Sequence, residues 1–357
     1  MFYREAGQYK TSYQSDQSIF PILQDRIGII VIVIAAYALT LTHNDFLLNA
    51  MMIPFLIFTL AAIGLNILTG YTGLLSLGTG AFMGVGAYAC YKLTTVFPGV
   101  NILIWIVCSG FFAALIGAVF GLPSLRIKGF YLAVATLAAQ FFLEWSFTRI
   151  AWLYNYNISG AIEVPQRELF GIIVTGPRAT AETRYVIVLT IVIAMTWLAS
   201  NLVRGRIGRM WMAVRDMDIA AELMGVQMLP TKLLAFAVSS FYCGVSGAML
   251  VFLWYGSAES TVFSINQSFT ILFMIIIGGL GSLLGSYLGA ALIFMLPIVL
   301  RIVPPEFGIP VHAATVEHIS FMVVGALIVL FLIVEPHGLA RLWQIGKQKL
   351  RVWPFPY

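Results

Sequence analysis

The sequence predicts an all-α polytopic membrane protein of about ten transmembrane helices, some broken or short, with a further helix held in the cytoplasm. Three observations carry this. Of 357 residues, 60% are hydrophobic and only 10% charged, whereas a soluble domain carries about 25% charged residues. Apolar runs of about 20 residues, the length that spans a bilayer, recur along the whole chain. Lys and Arg gather at the ends of those runs rather than on one soluble face, so the net charge of +5 does not imply a nucleic-acid partner.

Taken in order, residues 1–26 form a polar N-terminus of mixed charge, 27–335 a transmembrane domain and 336–357 a basic, aromatic tail. Ala36-Tyr37-Ala38 resembles a cleavage site, but the polar region before it is too long for a typical signal peptide, so the segment from Ile27 is an uncleaved first span. The spans fall at 27–43, 47–69, 80–97, 101–121, 130–149, 185–203, 232–255, 262–278, 285–300 and 318–335. With the N-terminus inside, the inner segments hold 14 of the 20 basic residues and 7 of the 15 acidic ones. That bias is the positive-inside pattern, and it puts both termini in the cytoplasm. Reading Val262–Leu300 as one broken helix would move the tail outside, so the split is placed at Gly278-Gly279-Leu280-Gly281-Ser282, with a re-entrant hairpin as the alternative. The tail alternates Arg341, Lys347, Lys349 and Arg351 with Trp343, Trp353, Phe355 and Tyr357, a pattern that anchors to the inner leaflet. The outer loop 151–184 either caps the outer mouth or is a plain connector.

Two glycine-dense stretches stand apart. The first runs from Gly70 through Gly73, Gly78 and Gly80 to Gly86; the second holds Gly278, Gly279, Gly281, Gly285 and Gly289. Both fall at turns between spans, which hints at the internal duplication common in transporters. Close helix packing explains glycines four residues apart, such as Gly80/Gly84, Gly117/Gly121, Gly281/Gly285 and Gly285/Gly289. Over residues 70–80 the density is too high for a continuous helix, and Thr69, Thr72, Ser76 and Thr79 add polar groups. Non-helical backbone at membrane depth survives where it lines a cavity or is buried in protein. Gly70, Tyr71, Thr72 and Ser76 are therefore candidates for a translocation pathway. Gln140 and Glu144 join them, because polar groups inside a span usually face a pore or a partner. For Glu144 the alternative is local pairing with Arg149 or snorkelling outward. For Asn66 it is hydrogen bonding between helices. Cys90, Cys108 and Cys243 lie in apolar runs without CxxC spacing, so neither a metal site nor a disulfide framework is expected.

The coupling loop, 204–232, is the longest strongly charged run. It predicts a short helix ending at Gly225, a C-cap glycine. Arg215, Asp218 and Glu222 make one polar face, and Val214, Met217, Ala221 and Met224 the adjacent apolar one. Asp216 and Ala220 complete the surface. Acids of this kind are repelled by an anionic leaflet, so the helix suits a protein groove better than a headgroup layer.

At these residues the chain resembles a known family, the LivM-like membrane permeases of bacterial ABC importers for branched-chain amino acids. The resemblance is carried by 70–78 (GYTGLLSLG), 208–216 (GRMWMAVRD), 219–225 (IAAELMG), 232–236 (KLLAF), 278–282 (GGLGS) and 335–339 (EPHGL), and it covers roughly residues 50–340. It implies that 211–226 is the coupling helix, with Arg215, Asp216, Asp218, Ala220, Ala221, Glu222 and Gly225 meeting the ATPase. It also implies two cytoplasmic ABC ATPase subunits, a second permease (LivH-like), a periplasmic solute-binding protein, and placement in the bacterial inner membrane. This chain would carry no cofactor, with ATP held by the partner subunits; consistently, it has no GxxxxGK[ST] loop. One departure stands out. The family often carries Glu-Ile-x-Arg after Thr-Leu, whereas here Thr136-Leu137 leads to Phe141 where the acid is expected. The GYTGLLSLG run also occurs in urea permeases, so urea, amides and organic or aromatic carboxylates stay open as cargo. Rival classes are a channel or secondary transporter acting alone, a membrane scaffold, and an intramembrane serine protease built on Gly244-Val245-Ser246-Gly247 with His312 or His318.

Overall fold

Helices occupy all ten stretches in which spans are expected. α1 covers Leu23–Ala38 and tightens into a 3-10 turn, Leu39–Thr42; α2, Ile53–Asn66, is flanked by π-helical turns at Phe46–Met52 and Ile67–Tyr71. Then come α3 (Thr79–Val96), α4 (Ile102–Ser124), α5 (Tyr131–Arg149) and α6 (Ala181–Arg204). The coupling loop holds α7 (Arg206–Asp216) and α8 (Asp218–Leu223), and α9 (Met228–Met249) continues as a π-helical turn to Tyr255. α10 (Ile265–Gly278), α11 (Leu283–Glu306), α12 (Ala313–Val334) and α13 (Gly338–Val352) complete the chain. The computed structural model describes residues 11–12, 23–124, 131–169, 171–176, 178–306, 313–335 and 337–352. Most of the polar N-terminus, His312, Trp353, Phe355 and Tyr357 lie outside the described residues.

Among these, six segments are long and apolar enough to cross a bilayer: Phe46–Tyr71, Ile102–Leu122, Ala181–Arg204, Met228–Tyr255, Ser260–Gly278 and Leu283–Ile302. Arg26–Thr42 and His318–Phe331 are shorter apolar helices. The chain is a multi-pass membrane protein, but length and apolarity do not establish the expected count of ten. α3 falls short because glycines, threonines and Lys92 dilute it; Gln140 and Glu144 do the same in α5. α3 can be polar because it is buried on nearly every side, and a helix enclosed by protein has no lipid to face.

α9 is the centre of the packing, lying against α4, α3 and α2. Glycine makes the approach possible. A Cβ on Gly86 would strike the backbone of Gly244, and one on Gly247 would strike the backbone of Met83, so α3 and α9 touch main chain to main chain. Nearer the start of α9, Gly117 and Gly121 of α4 receive Ser240 and Phe236. α10 and α11 form a hairpin, with Gly278 and Gly285 in backbone contact and Gly289 against Met274. Gly279 (φ +120) and Gly281 (φ +75) make the turn, so Val262–Leu300 is two helices, as the split at 278–282 requires.

The helical fold carries a few short strands. The loop 151–184 builds a hairpin of β2 (Arg167–Leu169) and β3 (Ile172–Thr175), and β1 (Ile162–Glu163) pairs antiparallel with β4 (Ser257–Ala258). Pairing between segments this far apart leaves no local trace in the sequence. Arg167 fastens the hairpin by donating to Thr94 O (2.6 Å) and Pro98 O (2.6 Å). These are carbonyls at the C-terminal end of α3, where a cation is favoured.

Candidate transport-coupling site

The site begins where α2 stops. After the π-helical turn, Gly73 takes φ +74, and the backbone stays non-helical until α3 starts at Thr79. Four of the carbonyls around this break are satisfied. Thr72 Oγ1 donates to Ile67 O (3.1 Å), Leu74 N to Leu68 O (3.1 Å) and Thr69 Oγ1 to Leu74 O (3.2 Å). Gly70 O accepts from Arg215 Nη1 (3.0 Å), which brings the coupling loop into the break.

The far end of the break is held as closely. Gly80 lies against Ser264 and Ser268, at the start of α10, while Gly70 lies against Gly281, just past its end. At about 1.5 Å per residue, the 14 residues of α10 put those ends about 20 Å apart. Residues 73–78, which form no helix, therefore run back along the length of α10. Three side chains cap the donors left free at the start of α3: Thr136 Oγ1 accepts from Leu77 N (2.9 Å), Ser268 Oγ from Gly80 N (2.8 Å) and Gln140 Oε1 from Ala81 N (2.7 Å). Gln140 Nε2 in turn donates to Phe263 O (2.7 Å). Along this strand of chain Thr72 and Ser76 are buried, while Gly73 and Leu75 are exposed, so one edge faces outward from the fold.

Asn66 joins the two glycine stretches. It is fully buried, donates through Nδ2 to Ser282 O (2.8 Å) and Ser286 Oγ (2.9 Å), and accepts at Oδ1 from Gly281 N (2.8 Å). Hydrogen bonding between helices is thus its role. Both glycine stretches, the Asn66 amide and the Arg215 guanidinium meet at one end of α10.

The coupling loop departs from the expected single helix. Met217 is extended (φ −154, ψ 97), splitting it into α7 and α8. Val214 and Ala221 turn inward and are buried, while Met217, Ile219, Leu223 and Met224 are 71%, 68%, 85% and 73% exposed. The predicted apolar face therefore divides, because the break at Met217 rotates α8 relative to α7. Asp216, Glu222 and Gly225 are exposed, Asp218 and Ala220 partly so. Gly225 does end the loop's helix, at φ +90, with Val226 N bonded to Ala221 O (3.0 Å) and Gly225 N to Glu222 O (2.9 Å), the Schellman arrangement. Nothing in the sequence sets Trp211 apart from the rest of its motif. It is fully buried and donates through Nε1 to Thr231 O (3.0 Å), pinning α7 to the start of α9. Arg215 also grips its neighbour, with Nε and Nη2 each 2.9 Å from Asp216 Oδ1.

Glu144 is half-buried one turn beyond Gln140. Among the described residues no hydrogen bond or ion pair holds it, so the local pairing with Arg149 is not made.

The model of the family described as the branched-chain amino acid transport system, permease component, matches residues 47–332. The chain belongs to this family. It is 28% identical over 307 residues to the high-affinity branched-chain amino acid transport permease protein LivM of Escherichia coli, covering 80% of this chain and 68% of that one. LivM of Salmonella typhimurium matches equally, and the probable LivM of Methanocaldococcus jannaschii is 24% identical over 253 residues, covering 68% of this chain and 69% of that one. No solved structure matches. As a permease the chain does not need the protease arrangement, and Ser246 does not supply it. Its hydroxyl is fully buried and donates to Ile57 O (2.8 Å), in the patch where Gly244 and Gly247 let helices touch. In this permease both glycine stretches and the coupling loop converge, although the motifs lie far apart along the sequence.

Proposed function

We propose that this permease is the membrane-spanning subunit of an ATP-driven importer in the bacterial inner membrane, with ten crossings and both termini in the cytoplasm. One of two ATPases would dock on the coupling loop, a second, LivH-like permease would complete the channel, and a periplasmic binding protein would deliver cargo. Branched-chain amino acids are the cargo we favour, since the relatives are named for them. The chain itself would hold no cofactor and catalyse no reaction.

The single observation behind this reading is the Arg215–Gly70 bond. ATP-driven closure of the ATPases would displace α7 and α8; Arg215 would carry that displacement into the carbonyl of Gly70 and the turn at Gly281, where its Nη1 would lie 3.1 Å from a Cβ. Chain without helical hydrogen bonds bends at little cost, so residues 73–78 would move first and open or close a path along their exposed edge. Gly70, Tyr71, Thr72 and Ser76 would shape that path. Gln140, fully buried, would hold its upper end rather than touch cargo.

The docking half is tested on the exposed residues at the end of α8. Leu223→Asp combined with Met224→Asp puts charge into an apolar contact and should abolish ATPase co-purification while leaving thermal stability unchanged, because both side chains are exposed. Normal recovery of the ATPases would refute docking there. Glu144 is tested separately. Glu144→Gln should reduce uptake without lowering stability, and wild-type uptake in that variant would remove it from the pathway.

A further inference from the structure

α13 lies beyond residues 47–332, the part that the family model matches, and transport as described above does not use it. The helix is amphipathic. Leu339, Leu342, Trp343 and Gly346 recur at helical spacing on one face, and Leu342 (46%) and Trp343 (61%) are exposed. Arg341 and Lys349 are exposed and Lys347 is partly so, and Gly338–Val352 contains no acidic residue. A short helix that combines an uncovered apolar stripe with cations and no acids fits an anionic lipid surface.

Its first residue is locked into the turn between α10 and α11. A Cβ on Gly338 would lie 2.6 Å from Ile277 O and 2.7 Å from Gly279 N, and Gly279 itself is in contact with His337 O and Ala340. Two residues on, Gly281 N is held by Asn66 (2.8 Å) and lies beside Arg215. α13 and the coupling loop thus sit on the same side of the membrane. Any tilt of α13 is passed, backbone to backbone, to the turn that the break also touches.

We propose that α13 binds the anionic phospholipid of the leaflet on the coupling-loop side, and that its seating on that leaflet holds the Gly278–Ser282 turn in place. Membrane charge thereby becomes an input to the same turn that Arg215 pulls on.

The test is hydrogen exchange on the full-length protein in nanodiscs of phosphatidylcholine alone and of an equal mixture with phosphatidylglycerol. Each Lys or Arg near an anionic surface strengthens binding by about a factor of five, so exchange over 338–352 should slow by about tenfold or more in the anionic discs. Salt at about 1 M, where the Debye length shrinks to about 3 Å, should cancel the difference. So should the triple variant Arg341→Gln, Lys347→Gln, Lys349→Gln. Exchange over 278–282 should change in step. Equal exchange of 338–352 in both discs, or protection that survives the triple variant, overturns the lipid contact. Protection that appears in neutral discs only when ATPase subunits are added identifies an acidic protein face as the occupant instead. Protection of the helix without a response at 278–282 overturns the link to the turn. None of these readouts depends on transport, so they stand apart from the proposed importer activity.

Discussion

Replacing Arg215 by alanine should cut substrate uptake at least about tenfold while the ATPases still co-purify. The side chain bridges two moving parts. One nitrogen holds the Gly70 carbonyl at 3.0 Å and two hold Asp216 at 2.9 Å. A hydrogen bond to a charged group contributes about 1.5–3 kcal/mol, and its half-exposed setting places this one toward the lower end; tenfold in an equilibrium is about 1.4 kcal/mol. The alanine variant leaves the exposed docking residues of α8 untouched, so ATP hydrolysis should continue but lose its dependence on cargo. Arg215→Lys should recover only part of the uptake, because an ammonium lacks the planar fork that reaches a carbonyl and a carboxylate together. The measurement is initial uptake in membranes with matched permease content, alongside ATP hydrolysis. Wild-type uptake in Arg215→Ala would sink the coupling route.

Asn66→Leu should destabilise the fold by about 2–4 kcal/mol. Leucine shares asparagine's branched shape and is the larger of the two, so no cavity opens and the loss comes chiefly from hydrogen bonding. Three groups lose a partner: Gly281 N, Ser282 O and Ser286 Oγ. Interhelical bonds in membrane proteins average about 0.6 kcal/mol and reach about 1.7, and a buried group left unpaired adds about 1–3 kcal/mol. The effect should also be local, with faster hydrogen exchange at 278–286 than in the α3–α9 interface. A detergent unfolding titration within 0.5 kcal/mol of wild type, an order-of-magnitude threshold for surface changes, would show that Asn66 does not join the two stretches. The two variants separate force transmission from assembly: Arg215→Ala should lower stability by no more than about 1.5 kcal/mol and strike mainly at uptake, whereas Asn66→Leu should lower stability further and uptake with it.

Much of this could be read before any coordinates. The helix at every predicted span, the break after Gly70, the turn at 278–282 and the cap at Gly225 all rest on local chemistry. Apolar length, glycine conformation and helix ends act over a few residues, and a sequence displays them directly. The coupling loop was only half legible. Its position and its terminal glycine were clear, but the extended Met217 was not, because a single residue outside the helical region interrupts no pattern. Ala221 therefore seemed part of an outward face and is in fact buried, while Leu223 is exposed.

The sequence alone determined that this chain is a multi-pass helical membrane protein, which of its glycines interrupt helices and which family it belongs to. Only the tertiary structure decided what those interruptions do. Gly70 and Gly281, far apart in the chain, lie side by side because Asn66 bonds across them and because glycine lets the backbones approach. Arg215 reaches the same point because the buried Trp211 pins α7 to α9. Contacts of this kind depend on where helices cross in space, and no spacing of residues along the chain encodes that crossing.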